Sequence, residues 1–489
     1  MSRSRMVARN VVVTIVNQVA SWTLSIAVMW KLQQYLGASG LGQFTLAYAI
    51  AGICAMVVSL GTSTVLIREI ARDHSMADRL IPAAIAMRIP LGFVGLALAL
   101  LVGVVLGYSH LVMVLIVITV FAMVLAQVND VFASALVGVE QLPKQNLGLF
   151  TERVISSAGT LVLIALHGEP WTLMAISLLS NTIALAVNVH NIKPYITRLA
   201  APDMPTVKML VREGRPFMST SLFAAIYGQS DPPILSKLST EAQIGWYGLG
   251  RRLIGTVLFF PVALTNALLP TLARVSREEP ESFGPMMRRV IDLVLVAVVP
   301  FAALMVFAPA QILRVLKSPE SFSGSIPVLM IFGAGTIVWY LSQVIATALI
   351  AADRQGMLSR VTGIAALISV PLCIGLTAAA QTHWGNGAVG AAVSDVTVES
   401  YLLVSYIRAL PRDVIDWRSI GTLARASIAA IPLVLLLSWS LSSTHVSTIV
   451  AAGTVGALLY IPLCWLLKCL HPHDIAMVKQ MFSKKLAPA

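Results

Sequence analysis

Long apolar runs separated by short polar segments dominate the chain from end to end. A helix needs about 20 apolar residues to cross the hydrocarbon core of a bilayer. The runs have that length, and the short alternating segments typical of a transmembrane barrel are missing. The pattern therefore predicts an all-α polytopic membrane protein. The fourteen predicted spans are residues 10–32, 41–67, 80–107, 110–138, 147–166, 171–190, 217–238, 243–270, 288–308, 326–351, 360–380, 386–408, 420–441 and 446–468.

Composition and charge agree with a membrane protein. Of the 489 residues 57% are hydrophobic and 11% charged, whereas soluble chains carry about 25% charged residues. The net charge of +12 does not indicate nucleic acid as a partner, because Lys and Arg cluster between the apolar runs. With the N-terminus inside, the external connections hold few basic residues, namely Lys31, Lys237, Arg314 and Lys317. This asymmetry predicts that both termini face the cytoplasm.

An internal repeat divides the chain. Gly42–Ala47 at the start of the second span resembles Gly245–Gly250 at the start of the eighth, and Ala133–Glu140 resembles Ala346–Asp353. Six spans per repeat give both halves the same orientation, so we expect an axis along the membrane normal and a binding site where the halves meet. The predicted domains are an N-lobe (1–192), a cytoplasmic linker (193–216), a C-lobe (217–410), two extra spans (411–470) and a cytoplasmic tail (471–489).

Catalytic chemistry has little basis in this sequence. No phosphate-binding glycine loop and no nucleophile motif is present, and the histidines and cysteines lack metal-ligand spacing. We therefore predict a transporter without a catalytic residue, a metal or another cofactor. Its energy would come from an ion gradient or from the concentration imbalance of the substrate itself, and H⁺ and Na⁺ are the candidate coupling ions.

Charged residues inside predicted spans are the strongest candidates for function, because each costs at least about 2.5–3.5 kcal/mol at a helix centre. Arg251 and Arg252 lie at a depth similar to that of Asp231. One interpretation has an arginine facing a water-filled cavity and binding an anionic head group through its guanidinium. The other is an ion pair between Asp231 and an arginine that holds two spans together.

Two further sets of charges have open roles. Arg88 and Asp130 lie at equal depth in consecutive spans, which favours a structural ion pair but leaves a cation relay open. Asp395 and Glu399 share one helix face near mid-membrane and suit proton or sodium coupling. Arg408 or Arg425 could instead neutralise Glu399.

Uncharged polar and aromatic side chains add weaker candidates for a polar cavity. Asn17 lies in the first span, and Tyr48 and Tyr227 could stack on sugar rings. Most such residues serve in helix packing or in aromatic belts at the membrane interface.

Several stretches carry a resemblance to a known family. They are Leu36–Ala49, Leu60–Thr62, Ile67–Arg72, Gly245–Tyr247 and Leu268–Arg274, together with Asp231. In them the chain resembles bacterial oligosaccharide flippases (Wzx-like) of the polysaccharide transporter family, in the superfamily that also contains multidrug extruders and lipid II flippases. The resemblance covers the first twelve spans.

The resemblance implies two six-helix lobes around a V-shaped cavity, and alternating access in the bacterial inner membrane. The implied cargo is an undecaprenyl-pyrophosphate-linked oligosaccharide, held by cationic residues, with the last two spans accommodating the lipid tail. Membrane lipid, a polysaccharide polymerase and chain-length proteins are the implied partners. The alternative is a cation-coupled multidrug extruder of the same superfamily. A membrane glycan polymerase or ligase would need a large external loop, which the sequence lacks.

Overall fold

The computed structural model describes residues 3–410, 417–440 and 445–469, which form helices and short connections and contain no strand. The predicted all-α class is therefore confirmed. The chain divides into two compact units, Met1–Lys237 and Leu238–Ala489. The predicted boundary between the lobes lies at residue 217, whereas the unit boundary lies about 20 residues later.

Helices of the first unit follow one another with short connections. Their bounds are α1 Arg3–Ser59, α2 Thr62–Arg72, α3 Ala77–Val105, α4 His110–Gly138, α5 Leu142–Ala165, α6 Pro170–Ile192, α7 Met204–Gln229 and α8 Asp231–Leu238, the last of which reaches the unit boundary. Buried side chains of α2, α3, α4, α6 and α7 form the core of this unit, among them Ile70, Leu80, Leu136 and Leu210.

The second unit has the same style of construction. Its helices are α9 Glu241–Val257, α10 Phe259–Glu278, α11 Pro280–Phe307, α12 Pro309–Val315, α13 Ile326–Ala351, α14 Gln355–Trp384, α15 Gly387–Ala409, α16 Trp417–Ala429, α17 Ile431–Trp439 and α18 Val446–Leu466. The last three pack on α11, where the Tyr460 hydroxyl donates to the Val296 carbonyl at 2.7 Å.

Twelve helical segments of the described chain are long and apolar enough to cross a membrane. They match twelve of the fourteen predicted spans and support a multi-pass membrane protein. Of the other two predictions, residues 10–32 lie in the first part of α1 and residues 217–238 form the end of α7 and α8. Predicted span one and most of span two belong to α1, which is interrupted at Gly37, whose φ is 64°, and the rest of span two lies in α2.

Proline explains two breaks that the predicted spans lack. Predicted span 217–238 is interrupted at Ser230, two residues before Pro232, and predicted span 243–270 is interrupted at Leu258, three residues before Pro261. Proline has no N–H and cannot donate to the carbonyl four residues earlier. For Pro261 that carbonyl belongs to Val257, and the Tyr340 hydroxyl donates to it at 2.7 Å instead. The break is therefore satisfied by a neighbouring helix.

Equivalent connections of the two units share an unusual backbone conformation, which supports the internal repeat. In each matched pair of helix ends, both helices are followed by a residue with positive φ, a conformation that is uncommon for residues other than glycine. The pairs are Gly107 (61°) and Lys317 (46°), Glu140 (60°) and Asp353 (58°), and His167 (56°) and Gly385 (64°).

The predicted linker is partly helical and is held at its start. Its second half belongs to α7, which begins after Asp203, whose side chain accepts from the Thr206 amide. Hydrogen bonds from Thr206 lower the pKa of Asp203. Before α7, the Asp78 carboxylate at the start of α3 accepts from the backbone amides of Thr197 and Arg198 at 3.0 and 3.2 Å. The linker is thus attached to the N-terminal end of α3.

Candidate functional site

Arg251 of α9 forms an ion pair with a buried carboxylate of the same unit. Its Nη1 lies 3.2 Å from Oδ2 of Asp395 on α15, and the Tyr247 hydroxyl donates to the same oxygen at 2.8 Å. Tyr247 and Arg251 are four residues apart on α9, so they share the face that meets α15. The Asp395 side chain is 2% exposed and that of Arg251 is 29% exposed. The guanidinium of Arg251 is therefore held by Asp395, and part of the Arg251 side chain remains accessible.

Aromatic packing fixes Tyr247 in this arrangement. Its ring lies 5.6 Å from Phe332 of α13, and Phe332 lies 5.7 Å from Trp339. A Cβ at Gly250 would lie 2.5 Å from the Phe332 ring, so glycine is required for this close approach of α9 to α13. Tyr247 is thereby held at one position relative to Asp395.

The remaining charges of the second unit have different surroundings. Glu399 is buried one turn after Asp395 on α15. Arg408 is exposed in the last turn of α15, and Arg425 donates to the Lys468 carbonyl at 3.2 Å. Arg252 follows Arg251 on α9 and is partly buried. Ion coupling through Asp395 and Glu399, and neutralisation of Glu399 by Arg408 or Arg425, stay predictions.

In the first unit, Arg88 and Asp130 lie in contact. Nη1 of the fully buried Arg88 donates to Oδ2 of Asp130 at 2.9 Å and to the Gln127 carbonyl at 2.6 Å, and Nη2 donates to Thr62 and Ser63. Asp130 is 43% exposed. The pair therefore joins the start of α2 to α3 and α4, and a cation relay through it stays a prediction.

The other predicted residues are spread over the first unit. Tyr48 is exposed on α1 and Tyr227 is partly buried on α7, and these helices meet where Gln229 packs against Gly52. Asp231 is buried at the start of α8, and its pairing with an arginine stays a prediction. Asn17 lies in α1, but its side chain is outside the described part of the structure.

An apolar groove of about 510 Å³ lies on the second unit between α11, α13, α16 and α17. Val299, Val306, Ile337, Ile431 and Leu435 are among the side chains that line it. This volume is in the range of small-molecule sites, and its lining suits a hydrocarbon chain.

Sequence reasoning missed the role of Tyr247 and the partner of Arg251. The spacing of Tyr247 and Arg251 on one helix was the available signal, but nothing local to α9 identifies a carboxylate 144 residues later as their common partner. Among the described residues, no three His, Cys, Asp or Glu side chains come together as metal ligands.

Comparison with protein families gives one match. A family model described as "polysaccharide biosynthesis protein" matches residues 7–276, which is more than half of the chain. No curated protein matches the chain in sequence.

Solved structures share the fold at low sequence identity. The lipid II flippase MurJ in an inward closed conformation matches with a TM-score of 0.78 and 12% identity, over 94% of this chain and 99% of that one. An inward-facing multidrug resistance MATE family transporter of the MOP superfamily matches with 0.62 and 15%, over 83% and 95%. A mutant of the Vibrio cholerae MATE transporter VcmN matches with 0.54 and 15%, over 84% and 99%. At these identities the likeness concerns the fold.

Proposed function

Since the chain belongs to the polysaccharide biosynthesis protein family and has the fold of MOP-superfamily transporters, we propose that it is a lipid-linked oligosaccharide flippase. Its cargo is an undecaprenyl-pyrophosphate-linked repeat unit for surface polysaccharide, moved across the bacterial inner membrane by alternating access. Only the sugar and the pyrophosphate need a hydrated route, because the polyprenyl chain can stay in lipid.

The observation that carries this proposal is the partly exposed side chain of Arg251 in a helix apolar and long enough to cross a membrane. An arginine at this depth is costly unless it is paired or has a ligand. Nη1 of Arg251 lies 3.2 Å from Asp395, and the fork geometry of arginine suits pyrophosphate oxygens. Arg252, Tyr48 and Tyr227 are the further candidate contacts to the pyrophosphate and sugars. The apolar lining of the groove beside α16 and α17 supports binding of the lipid anchor of the cargo there.

Deletion of the gene tests the direction of transport and the class of the cargo. We expect lipid-linked repeat units to accumulate with their sugars facing the cytoplasm, and surface glycan to be lost. Normal surface glycan combined with sensitivity to cationic dyes would contradict the flippase proposal and favour an extruder.

Variants of Arg251 test the site. Because Arg251→Ala would leave Asp395 without its cationic partner, the double variant Arg251→Gln/Asp395→Asn keeps the site neutral. We expect it to reduce glycan export at least about tenfold, as loss of a charge-assisted contact to phosphate does, at an unchanged membrane level of the protein. Arg277→Ala is the matched control, because Arg277 pairs with Asp353 on the surface. Normal export by the double variant would remove Arg251 from the site.

A second variant pair tests the groove. Ile337→Trp places a large ring in the groove, whereas Leu367→Trp places it on the exposed face of α14. We expect export to slow for Ile337→Trp and to stay normal for Leu367→Trp. Equal export by both variants would show that the lipid anchor does not use this groove.

A cation-coupled extruder of small amphipathic molecules is the second candidate, and the buried carboxylates Asp395 and Glu399 favour it. Proton or sodium coupling is also compatible with a flippase. The two candidates differ in cargo, so accumulation of cationic dye and accumulation of lipid-linked sugar in the deletion strain distinguish them.

A further inference from the structure

Arg251 and Asp395 form a close ion pair within the second unit. Nη1 of Arg251 lies 3.2 Å from Oδ2 of Asp395, and that same oxygen accepts from Tyr247 at 2.8 Å. The positive charge of Arg251 is therefore partly offset by a carboxylate of the protein itself. An anion that approaches Arg251 meets a smaller attraction than an isolated arginine would exert.

The two partners differ in freedom. Asp395 is buried in α15, and its hydrogen-bond donor Tyr247 is packed against Phe332. Arg251 has a long side chain that is 29% exposed. Arg251 therefore has the side chain with more room to move, whereas Asp395 is enclosed and accepts a hydrogen bond from Tyr247.

We propose that Asp395 is a positioning residue that weakens the hold of Arg251 on its anionic ligand, so that the ligand can be released. This inference rests on the proposed function, in which the ligand is a pyrophosphate. A transporter gains nothing from a site that binds its cargo equally tightly at every stage, because turnover then stops at release. A fixed carboxylate beside the arginine lowers the affinity of Arg251 for the ligand.

The sign of the effect separates this role from a purely structural one. Asp395→Asn keeps the shape of the side chain and an oxygen that accepts from Tyr247, but it raises the net charge of the site by one. A positioning role of this kind predicts tighter binding and slower release. A structural role predicts unchanged or weaker binding together with lower stability.

The test measures binding of farnesyl pyrophosphate, a short polyprenyl pyrophosphate, to the full-length protein in nanodiscs. We expect Asp395→Asn to lower Kd about tenfold and to slow dissociation, while export in cells falls. Asp395→Ser, which removes the same charge with a smaller side chain, should also lower Kd. Asp353→Asn is the matched control, because it removes an exposed carboxylate from the pair with Arg277 and should leave Kd unchanged.

Variants of Arg251 distinguish a failure of the positioning role of Asp395 from a failure of the proposed pyrophosphate site. Arg251→Gln should weaken binding, and adding Asp395→Asn in that background should give no further tightening, because the carboxylate acts through the arginine. Unchanged or weaker binding by both Asp395 variants, with Arg251→Gln still weak, would overturn the positioning role alone. Wild-type binding by Arg251→Gln would overturn the pyrophosphate site of the proposed function and this inference with it.

Discussion

Arg88 shows how a single buried charge is made tolerable within a membrane-spanning helix. Its side chain has no exposed surface, and its two terminal nitrogens donate to Asp130, the Gln127 carbonyl, Thr62 and Ser63. The Ser63 hydroxyl also donates to Asp130 at 2.5 Å. The charge is paired and both terminal nitrogens are hydrogen-bonded, as burial of an ion requires, whereas the buried Nε has no hydrogen-bond partner.

Removal of the carboxylate should therefore destabilise the first unit. Because Asp130 is 43% exposed, we expect Asp130→Ala to lower the free energy of unfolding by about 2–3 kcal/mol, which is less than for a fully buried pair. Thermal unfolding in detergent measures the effect. The double variant Arg88→Met/Asp130→Leu should be more stable than Asp130→Ala, since it removes the unpaired charge. Wild-type stability of Asp130→Ala would show that the other acceptors suffice for Arg88.

The two arginine sites also show what could be predicted for individual residues. Equal depth in consecutive helices brought Arg88 and Asp130 together as a candidate pair, and the structure places them 2.9 Å apart. Depth also suggested Asp231 as a partner for an arginine of α9, which stays a prediction, but it did not suggest the ion pair of Arg251 with Asp395, on a helix far along the chain. Span positions give depth in the membrane, whereas the rotation and neighbours of each helix depend on packing that periodicity does not specify.

At the scale of helices, the break between α1 and α2 depends on one glycine. Gly61 has φ of 68°, and a Cβ there would lie 2.6 Å from the Met218 amide nitrogen and 2.8 Å from the Gly214 carbonyl oxygen of α7. Both contacts are to backbone atoms, which cannot move aside as a side chain end can. The left-handed conformation and the close approach of α7 each require glycine.

Substitution of Gly61 should accordingly cost more than a conformational penalty alone. We expect Gly61→Ala to lower the free energy of unfolding by about 2–4 kcal/mol, from backbone strain and the clash with α7. Gly107→Ala is the matched control, because Gly107 has φ of 61° but no atom within 4 Å of an added Cβ. It should cost about 1 kcal/mol. Equal melting temperatures for the two variants would contradict a role for the close approach.

The attachment of the linker to α3 gives a prediction of its own. Asp78 accepts from the amides of Thr197 and Arg198, so Asp78→Ala should release this segment. We expect faster tryptic cleavage after Arg198 by at least about threefold, as loss of about 0.7 kcal/mol of local protection implies. Mass spectrometry identifies the site. Asp73→Ala is the control, because Asp73 accepts from Ser75 and does not contact the linker. Unchanged cleavage in Asp78→Ala would show that other contacts hold the segment.

Hydropathy predicted where the helices lie better than where they break. The predicted spans recover α3, α4, α6, α13 and α15 closely. Predicted span 243–270 runs through the interruption at Leu258, because a proline such as Pro261 favours a kink in a helix without fixing where the helix ends. Here the Tyr340 hydroxyl from another helix satisfies the freed carbonyl of Val257, and that contact has no trace in the local sequence.

Across the whole molecule, the repeat and the distribution of basic residues support one another. Residues with positive φ, Glu140 and Asp353, follow the ends of corresponding helices of the two units. An even number of spans per repeat predicts the same orientation for both halves. The basic residues collect beside these two ends, which we therefore propose to be cytoplasmic. His167 and Gly385 then close the opposite ends, which would be periplasmic.

Cysteine labelling tests this topology in both halves at once. Single cysteines at the exposed positions Glu169 and Trp384 should react with an impermeant maleimide in spheroplasts. Cysteines at Glu140 and Gln355 should react only after the membrane is permeabilised. The four native cysteines are buried, which keeps background labelling low. Labelling of Glu140→Cys in intact spheroplasts would show that the orientation is the opposite of the proposed one. In a parallel repeat both halves cross the membrane in the same sense, so Glu169→Cys and Trp384→Cys should both be labelled. Labelling of only one of them would contradict the parallel repeat.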